Sequence, residues 1–278
     1  MKARWLIALL AALPPVLPAG EAEALKLRLI PSPNLIRNTG FCQFDGKGHL
    51  AGWSFDNCSK SPYFSSELLF RDGGSCLGIN AEWKKFGYWL QTIPVREGVT
   101  YRAGVEVQSD NPTPGLWLIL QRKPDAPAWK GRTEFLVFRS AIMGDEMRET
   151  LRDFVDEDLI VSMSATRWFP LDTAVPVPAG SGISSCAVRV GIYGGNAGQA
   201  RFRNPFFRAE QPTLEAEITG SGWTQLRVTG AVPENVALDP AEDRQVVSVL
   251  LPKGKHVYKA ELSDREGVIR ETEEICNE

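Results

Sequence analysis

The sequence predicts an all-β protein with a large antiparallel sandwich or barrel and a second, smaller sandwich. Short apolar runs rich in aromatic and β-branched residues recur from residue 25 to about 210, separated by Gly, Pro, Asn and Asp. Several of these runs alternate apolar and polar residues with period two, as half-buried strands require. The aromatic density falls at residues 210–213, where a second series of strands begins. This spacing favours antiparallel sheets over βαβ units.

The first 24 residues are predicted to be a secretory signal peptide. Lys2 and Arg4 precede the apolar run Trp5–Leu13, and the small-residue pattern AEA at 22–24 marks the expected cleavage site. The apolar run is too short to span a bilayer, and no later segment approaches the required length. We therefore expect a secreted or periplasmic protein with domains at 25–210 and 211–278.

Eight runs of the first domain are predicted strands. They are LKLRLI (25–30), LLF (68–70), YWLQTI (88–93), YRAGVEVQ (101–108), LWLILQR (116–122), EFLVF (134–138), AVRVGIY (187–193) and RFRNPFF (201–207). Residues 144–159 differ, because their apolar residues recur at helical spacing and acidic residues lie near the start. We predict a short amphipathic helix there, inserted over a sandwich edge with its acidic side chains in solvent.

The second domain contains five predicted strands. They are LEAEI (214–218), WTQLRV (223–228), QVVSVLL (245–251), HVYKAEL (256–262) and VIRETE (268–273). Turn residues in PKGK (252–255) and SDREG (263–267) predict two successive hairpins. Five strands in so short a segment suit a small immunoglobulin-like sandwich.

The composition argues against several functional classes. Lys and Arg total 31 and Asp and Glu total 34, a net charge of −3, and the basic residues are scattered. Nucleic acid and acidic membranes are therefore not expected partners. The two histidines, His49 and His256, lie in no nucleophile, zinc or phosphate-binding motif, so no catalytic residue is expected. A polysaccharide hydrolase or lyase is the enzymatic alternative, and it predicts a facing pair of carboxylates in a cleft.

Five cysteines in an exported chain predict disulfides, and the odd number leaves at least one without an internal partner. Sequence alone does not choose among the arrangements. We favour Cys42 with Cys58, because these two residues flank one long loop. No pair has the spacing of a zinc cluster or of a thioredoxin-like redox site, so no metal site is expected.

Several segments occur in the order typical of one known module. They are NLIRNTGF (34–41), AGWSF (51–55), YWLQTIPVREGVTYRAGVEVQ (88–108), RWFPLDTAVPVPAG (167–180) and AVRVGIYGGNAGQARFRNPFF (187–207). This set resembles the CenC-type carbohydrate-binding modules, and its most specific part is QTIPVREGVTY (91–101). The resemblance implies a jelly roll of the galactose-binding-like fold over residues 33–209, with a sugar groove on the concave face. The C-terminal strands are similar to bacterial immunoglobulin-like or fibronectin-type modules.

The resemblance departs from the family at its last strand. Many such modules carry paired acidic residues there and hold a structural calcium ion. The corresponding stretch here, Arg203-Asn204-Pro205, lacks carboxylates. We therefore expect no calcium and no other cofactor.

Strand parity predicts which side chains face the core. We expect the strands at 88–93 and 101–108 to be sheet neighbours joined by a turn at Gly98, with the ring of Tyr101 over that turn. Side chains at 101, 103, 105 and 107 are then buried, as are those at 116, 118 and 120 and at 188, 190 and 192. Gly104 and Gly191 are expected to leave a trough on the outer face.

If these strands form one sheet, its outer face combines aromatic rings with hydrogen-bonding groups, as a sugar site requires. Trp117 and Tyr193 are the predicted stacking rings, and for Trp117 burial under the insertion is an equal alternative. Aromatic residues in or beside loops are further candidates, whereas Trp53 and Trp168 are expected to be packing residues. The carbohydrate-binding candidates are Trp117, Tyr193, Gln121, Arg189, Glu106, Gln108, Trp83, Tyr88 and Trp129.

The sequence therefore predicts non-catalytic binding of a carbohydrate, an extended polysaccharide chain, by an exported protein. One alternative is a structural or assembly protein of the cell envelope that binds a protein partner through the same fold. A protein partner of the C-terminal domain is also expected.

Overall fold

The structure is a computed structural model that describes residues 24–277 with internal gaps. The gaps are 59, 61–64, 72–73, 82–84, 111–113, 127–133, 141–166, 194–196, 231–234 and 252–255. The predicted all-β fold class is confirmed, because the regular elements described are β-strands. Over the same residues we found no helix long and apolar enough to cross a membrane. Most of the predicted signal peptide and the predicted helix at 144–159 lie outside the described residues.

The chain forms two compact units, and the larger one comprises residues 31–212. Its strands are β2 (Ser54–Asp56), β3 (Ser65–Arg71), β4 (Gly74–Ala81), β5 (Phe86–Pro94), β6 (Thr100–Ser109), β7 (Pro114–Arg122), β8 (Glu134–Ser140), β9 (Phe169–Pro176), β10 (Ile183–Tyr193) and β11 (Gly198–Ala209). They form two five-stranded antiparallel sheets, one with the order β2-β5-β10-β7-β8 and the other with the order β3-β4-β11-β6-β9. We call them the β5 sheet and the β6 sheet.

Strand parity correctly predicted the core of this unit. The predicted inward side chains on β6, β7 and β10 are all buried, since alternate residues of a strand point to the same face. Trp53 is also buried, as expected. The indole N–H of Trp89, which β5 turns inward, donates to the carbonyl of Gly78 on the β6 sheet at 3.3 Å.

The prediction that β5 and β6 are sheet neighbours is wrong. β5 pairs with β2 and β10, whereas β6 pairs with β9 and β11 in the opposite sheet. The connection therefore crosses the sandwich. Its turn was predicted correctly, because Gly98 has a φ of 75° and the hydroxyl of Tyr101 accepts the N–H of Arg96 at 2.9 Å.

The second unit contains the described residues up to Ile30 and those from Thr213 onward. Its strands are β1 (Leu25–Ile30), β12 (Thr213–Thr219), β13 (Gln225–Thr229), β14 (Asn235–Ala237), β15 (Arg244–Leu250), β16 (His256–Ser263) and β17 (Ile269–Asn277). They form sheets with the orders β1-β12-β15 and β14-β13-β16-β17. A single apolar core joins side chains of both sheets, with Tyr258 fully buried in it.

The N-terminal strand differs from the sequence prediction. The sequence suggested that residues 25–30 open the first domain, whereas β1 pairs along its whole length with β12. Leu25 lies opposite Ile218, and Ile30 lies opposite Thr213. The alternation in LKLRLI fits any sandwich with one buried face, so it does not identify the partner strand.

Two hairpins were predicted for the second unit, and the prediction is correct for one of them and wrong for the other. β16 and β17 form the predicted hairpin, and Gly267 in its turn has a φ of 76°. β15 and β16, which flank the predicted turn at 252–255, belong to different sheets. The turn chemistry of PKGK therefore does not produce a hairpin.

All five cysteines lie in the described part of the chain, and the structure joins none of them in a disulfide, so the predicted Cys42–Cys58 disulfide is not formed. Cys42 and Cys276 are exposed, Cys58 is half-buried, and Cys76 and Cys186 are buried. Burial raises the pKa of the Cys186 thiol to about 12. The Cys58 thiol interacts with Tyr88 and Asp56, and burial raises its pKa.

The five thiols differ in exposure, so we expect them to react with an alkylating reagent at different rates. Iodoacetamide at pH 8 should label Cys42 and Cys276 rapidly and Cys186 slowest, because the thiolate is the reactive form and must be accessible. Peptide mass spectrometry would give the rate at each site, with the unfolded protein as control. Labelling of Cys42 and Cys58 only after addition of a reductant would show that these two residues are bonded in solution.

Candidate functional site

The structure brings five of the nine predicted site residues to the outer face of the β5 sheet. In the strand register Arg189 lies opposite Trp117 on one side and Leu90 on the other. Tyr88 and Gln121 share this face, because directly opposed residues of antiparallel strands point the same way. The backbone position of Tyr193 has the same parity, and the structure does not describe its side chain. Trp83 and Trp129 lie outside the described residues.

Glu106 and Gln108 were predicted on this face and lie instead on the outer face of the β6 sheet. The crossing between β5 and β6 is the reason. Glu106 forms an ion pair with Arg203 at 2.6 Å, and the Gln108 Oε1 accepts from Arg201 at 3.2 Å. These are cross-strand contacts between β6 and β11.

The guanidinium of Arg203 also lies 4.1 Å from the ring centroid of half-buried Trp168, which fits the predicted packing role of this tryptophan. Glu106 and Gln108 are therefore not part of the candidate site on the β5 sheet.

The prediction that Gly104 and Gly191 leave a trough on the outer face is wrong. A Cβ atom at Gly104 would lie 2.4 Å from the ring of Phe206, which fills that space. A Cβ atom at Gly191 would lie 2.3 Å from the carbonyl oxygen of Gly87 and 2.6 Å from the Cβ of Tyr88. Gly191 therefore permits close packing against β5.

Of the two alternatives predicted for Trp117, a stacking ring or a buried residue, the structure supports burial. Its side chain is only 6% exposed, so its ring face is not available to a sugar in this structure. The Gln121 Oε1 accepts the hydroxyl of Ser185 at 3.3 Å, and both residues are half-buried. The accessible part of the face therefore lies toward β2 and β5.

A cluster of aromatic and charged groups occupies that accessible part. The guanidinium carbon of Arg189 lies 4.4 Å from the ring centroid of Tyr88, and the Tyr88 hydroxyl donates to Oδ2 of Asp56 at 3.1 Å. Burial raises the pKa of Tyr88 well above its usual range, and a hydrogen bond with Cys58 adds to the shift, so the phenol stays protonated. The Nε of Arg189 is buried and has no hydrogen-bond partner among the described residues.

Phe86 is a residue of this face that sequence reasoning missed. It lies two residues before Tyr88 on β5, points to the same side and is 39% exposed. Asp56 was missed as well, since its position opposite Tyr88 depends on the pairing of β2 with β5. The period-two alternation of β5 could have identified Phe86, because Trp89 is turned inward.

A pocket of about 860 Å³ lies at the β2 edge of the same sheet. We call it the edge pocket. Its lining combines aromatic and aliphatic side chains with a short loop that carries an acidic and an imidazole side chain. The lining residues are Phe44, Asp45, Gly48, His49, Leu50, Ala51, Gly52, Trp53, Ser54, Phe55, Leu68, Trp89, Leu90, Gln91 and Thr92. Ser54, Leu90 and Thr92 belong both to this pocket and to the outer face of the β5 sheet.

Metal binding has no candidate in the described part of the chain, where no three His, Cys, Asp or Glu side chains come together as a ligand set.

Comparisons with known proteins give weak similarities of fold. No family model and no curated protein matches the chain. A solved family 4 carbohydrate-binding module is 15% identical with a TM-score of 0.41, and the match covers 63% of this chain and 99% of the module. A family 22 xylan-binding domain from Paenibacillus barcinonensis is 10% identical with a TM-score of 0.35, covering 68% of this chain and 97% of that domain.

The enzymatically active domain of a tailspike protein from bacteriophage CBA120 is 10% identical with a TM-score of 0.41. That match covers 63% of this chain and only 21% of the tailspike chain. All three TM-scores are below 0.5.

Proposed function

We propose that the protein is an exported, non-catalytic carbohydrate-binding protein. Its ligand is an extended polysaccharide chain that lies on the outer face of the β5 sheet. The observation that carries this proposal is the cluster of Arg189, Tyr88 and Asp56 beside the exposed ring of Phe86. The resemblance to CenC-type modules in the sequence supports the same ligand class.

The chemistry of the cluster fits a sugar ring. A pyranose presents apolar C–H groups that pack on an aromatic ring such as Phe86, and hydroxyl groups around its rim that both donate and accept. The Arg189 guanidinium is a fixed donor, since it rests on the Tyr88 ring. The Asp56 carboxylate is an acceptor held by the Tyr88 hydroxyl.

An extended chain is a better ligand than a single sugar for energetic reasons. One aromatic contact contributes about 0.5–1.5 kcal/mol beyond the burial of its area. Association costs several times that amount in lost rotational and translational freedom. Contacts with successive sugar residues are therefore needed for useful affinity.

The described part of the face does not favour catalysis. A glycosidase of the common type needs two carboxyl groups across one glycosidic bond. Among the described side chains that β2, β5, β7 and β10 place on this face, Asp56 is the only carboxylate. A hydrolase or lyase is therefore the weaker assignment.

We expect Arg189→Gln to weaken polysaccharide binding about tenfold, because it removes a charged hydrogen-bond donor from the face. Isothermal titration against soluble xylan, β-glucan, galactan and mannan would measure the loss. Arg208→Gln is a matched control, since Arg208 also lies over an aromatic ring, that of Phe206 at 5.3 Å, on the opposite sheet. An unchanged affinity for Arg189→Gln would reject this face, and no binding to any polysaccharide would reject the function.

The burial of Trp117 favours one alternative, a structural or assembly protein of the cell envelope. In that case the same face, or a surface of the C-terminal unit, binds a protein partner. Val246 and Val257 are exposed apolar residues of that unit. Two results together would support this alternative. The protein would bind no polysaccharide, and its chemical cross-linking to a cell-envelope protein would be lost in the Arg189→Gln variant.

A further inference from the structure

The edge pocket carries groups that the proposed binding face does not use. Phe44 lines the pocket and is 50% exposed, although large aromatic side chains are usually mostly buried. An exposed ring beside a pocket is typical of a contact surface. Phe44 lies outside the strands described in the unit and forms an isolated β-bridge with Leu50. Its exposed ring is therefore available for a ligand.

Hydrogen bonds hold the loop between Phe44 and Leu50 in one conformation. The N–H of Asp45 donates to the carbonyl of His49 at 2.8 Å, and the N–H of Gly48 donates to the carbonyl of Asp45 at 3.0 Å. Oδ1 of Asp45 also accepts two backbone N–H groups of the loop, each at 2.8 Å. The Asn38 side chain bonds to backbone groups on both sides of the loop. A ligand therefore meets a preformed wall, which reduces the entropy lost on binding.

The polar groups of this loop suit hydroxyl groups. Backbone hydrogen bonds from His49 and Lys47 lower the pKa of Asp45, so its carboxylate is ionised at neutral pH and acts as an acceptor. Its second oxygen, Oδ2, lies 3.3 Å from Nδ1 of His49. The other ring nitrogen of His49 is free to face a ligand, since the imidazole side chain is largely exposed. A carboxylate and an imidazole beside an aromatic ring form a compact set of contacts for one sugar ring.

One residue of the pocket lining also carries an unpaired donor. Trp53 is 5% exposed, and its indole Nε1 is buried with no hydrogen-bond partner among the described residues. Buried N–H groups are almost always paired in native proteins, so an unpaired one marks a place where a further acceptor is favourable. A sugar residue bound in the pocket would bring hydroxyl oxygens next to the tryptophan that carries this donor.

The edge pocket is continuous with the proposed binding face through Ser54, Leu90 and Thr92. A polysaccharide chain on the face can therefore extend past β2 into the pocket. We propose that the edge pocket is a subsite for one sugar residue of the same chain, with Phe44 as the stacking ring and Asp45 and His49 as polar partners. This subsite rests on the proposed function.

The test is a length series of oligosaccharides on the full chain. Xylo-, cello-, galacto- and manno-oligosaccharides of increasing length would be titrated calorimetrically with Phe44→Ala, Asp45→Asn and the unaltered protein. We expect both variants to weaken the longest oligosaccharide that binds about three- to tenfold, and to leave the shortest binding oligosaccharide unchanged. The Nε1–H signal of Trp53 in an NMR spectrum should move with the long ligand only.

Leu35→Ala is the matched control, because Leu35 is 36% exposed and lies outside the pocket lining. If the unaltered protein, Phe44→Ala and Asp45→Asn bind oligosaccharides of every length with equal affinity, the subsite is overturned. The Arg189→Gln variant tests the main binding face independently of this result. If Phe44→Ala abolished the binding of oligosaccharides of every length, the subsite would also be overturned, since the pocket would then be the main binding site. If no oligosaccharide or polysaccharide binds, the proposed function itself fails and the subsite with it.

Discussion

Gly191→Ala should destabilise the 31–212 unit severely. β10 lies in the centre of the β5 sheet, between β5 and β7. A methyl group at Gly191 would lie 2.3 Å from the carbonyl oxygen of Gly87 and 2.7 Å from the Cα of Tyr88. Both obstacles are backbone atoms of a paired strand, so they cannot rotate away as a side chain can. Overpacking at such a site costs about 3 kcal/mol or more.

Urea unfolding followed by tryptophan fluorescence would measure this loss of unfolding free energy. Gly74→Ala is the matched control, because a Cβ atom there meets no atom within 4 Å and Gly74 is exposed at the start of β4. We expect the control to stay within about 0.5 kcal/mol of the unaltered protein. A Gly191→Ala variant as stable as Gly74→Ala would mean that β5 and β10 are not packed as closely as described.

Strand parity could be predicted from the sequence because it depends on neighbouring residues alone. The inward set on β6, which includes Val105 and Val107, is buried as predicted. Parity does not say which strand lies next to which, because that choice depends on contacts between residues far apart in the chain. The turn at Gly98 is compatible with a hairpin and with a crossing between sheets, and the chain uses the crossing. That single difference moved Glu106 and Gln108 to the opposite sheet.

Exposure of a correctly oriented side chain could not be predicted either. Trp117 has the predicted parity and is nevertheless buried. Tyr88 was predicted from its position near a loop, yet its role follows from Arg189, about a hundred residues away, and from Asp56. Local sequence contains the residue types of a sugar site. The pairing of β2, β5 and β10 decides which of them meet.

The edge pocket illustrates the same limit at a loop. The sequence around Asp45 indicates a turn, since Gly46 and Gly48 flank Lys47. Phe44 and His49 become a candidate site only because this turn is placed beside Leu90 and Thr92 of β5. No local pattern in residues 44–50 contains that information. Sequence alone does not distinguish His49 from an ordinary surface histidine.

The pairing of β1 leads to the second large prediction. Pro31 and Pro212 border the 31–212 unit, and the residues just outside them, Ile30 and Thr213, are register partners in one sheet. In chain order, residues 31–212 therefore lie between β1 and β12, two strands that pair in one sheet of the smaller unit. The smaller sandwich should then require residues 25–30 to complete its core.

Leu25→Asn should therefore unfold the C-terminal unit without unfolding the 31–212 unit. Leu25 is 3% exposed and packs in the core formed with Leu214 and Tyr258. Losing its burial costs about 2–5 kcal/mol, and an unpaired buried amide adds to that cost. A unit of this size has little stability to spare. Hydrogen exchange followed by mass spectrometry would show lost protection in β12 and β15 and retained protection in β6 and β10.

Lys26→Asn is the matched control for this experiment, because it makes the same change of side chain at the next residue of the same strand, which is exposed. Protection in β12 should stay at its original level in that variant, since an exposed substitution rarely changes stability by more than about 0.5 kcal/mol. If Leu25→Asn instead reduced protection in β6 and β10, the N-terminal strand would belong to the first domain, as its place in the sequence suggested. If the Leu25→Asn variant kept its protection from hydrogen exchange throughout the chain, β1 would not be needed for the stability of the smaller unit.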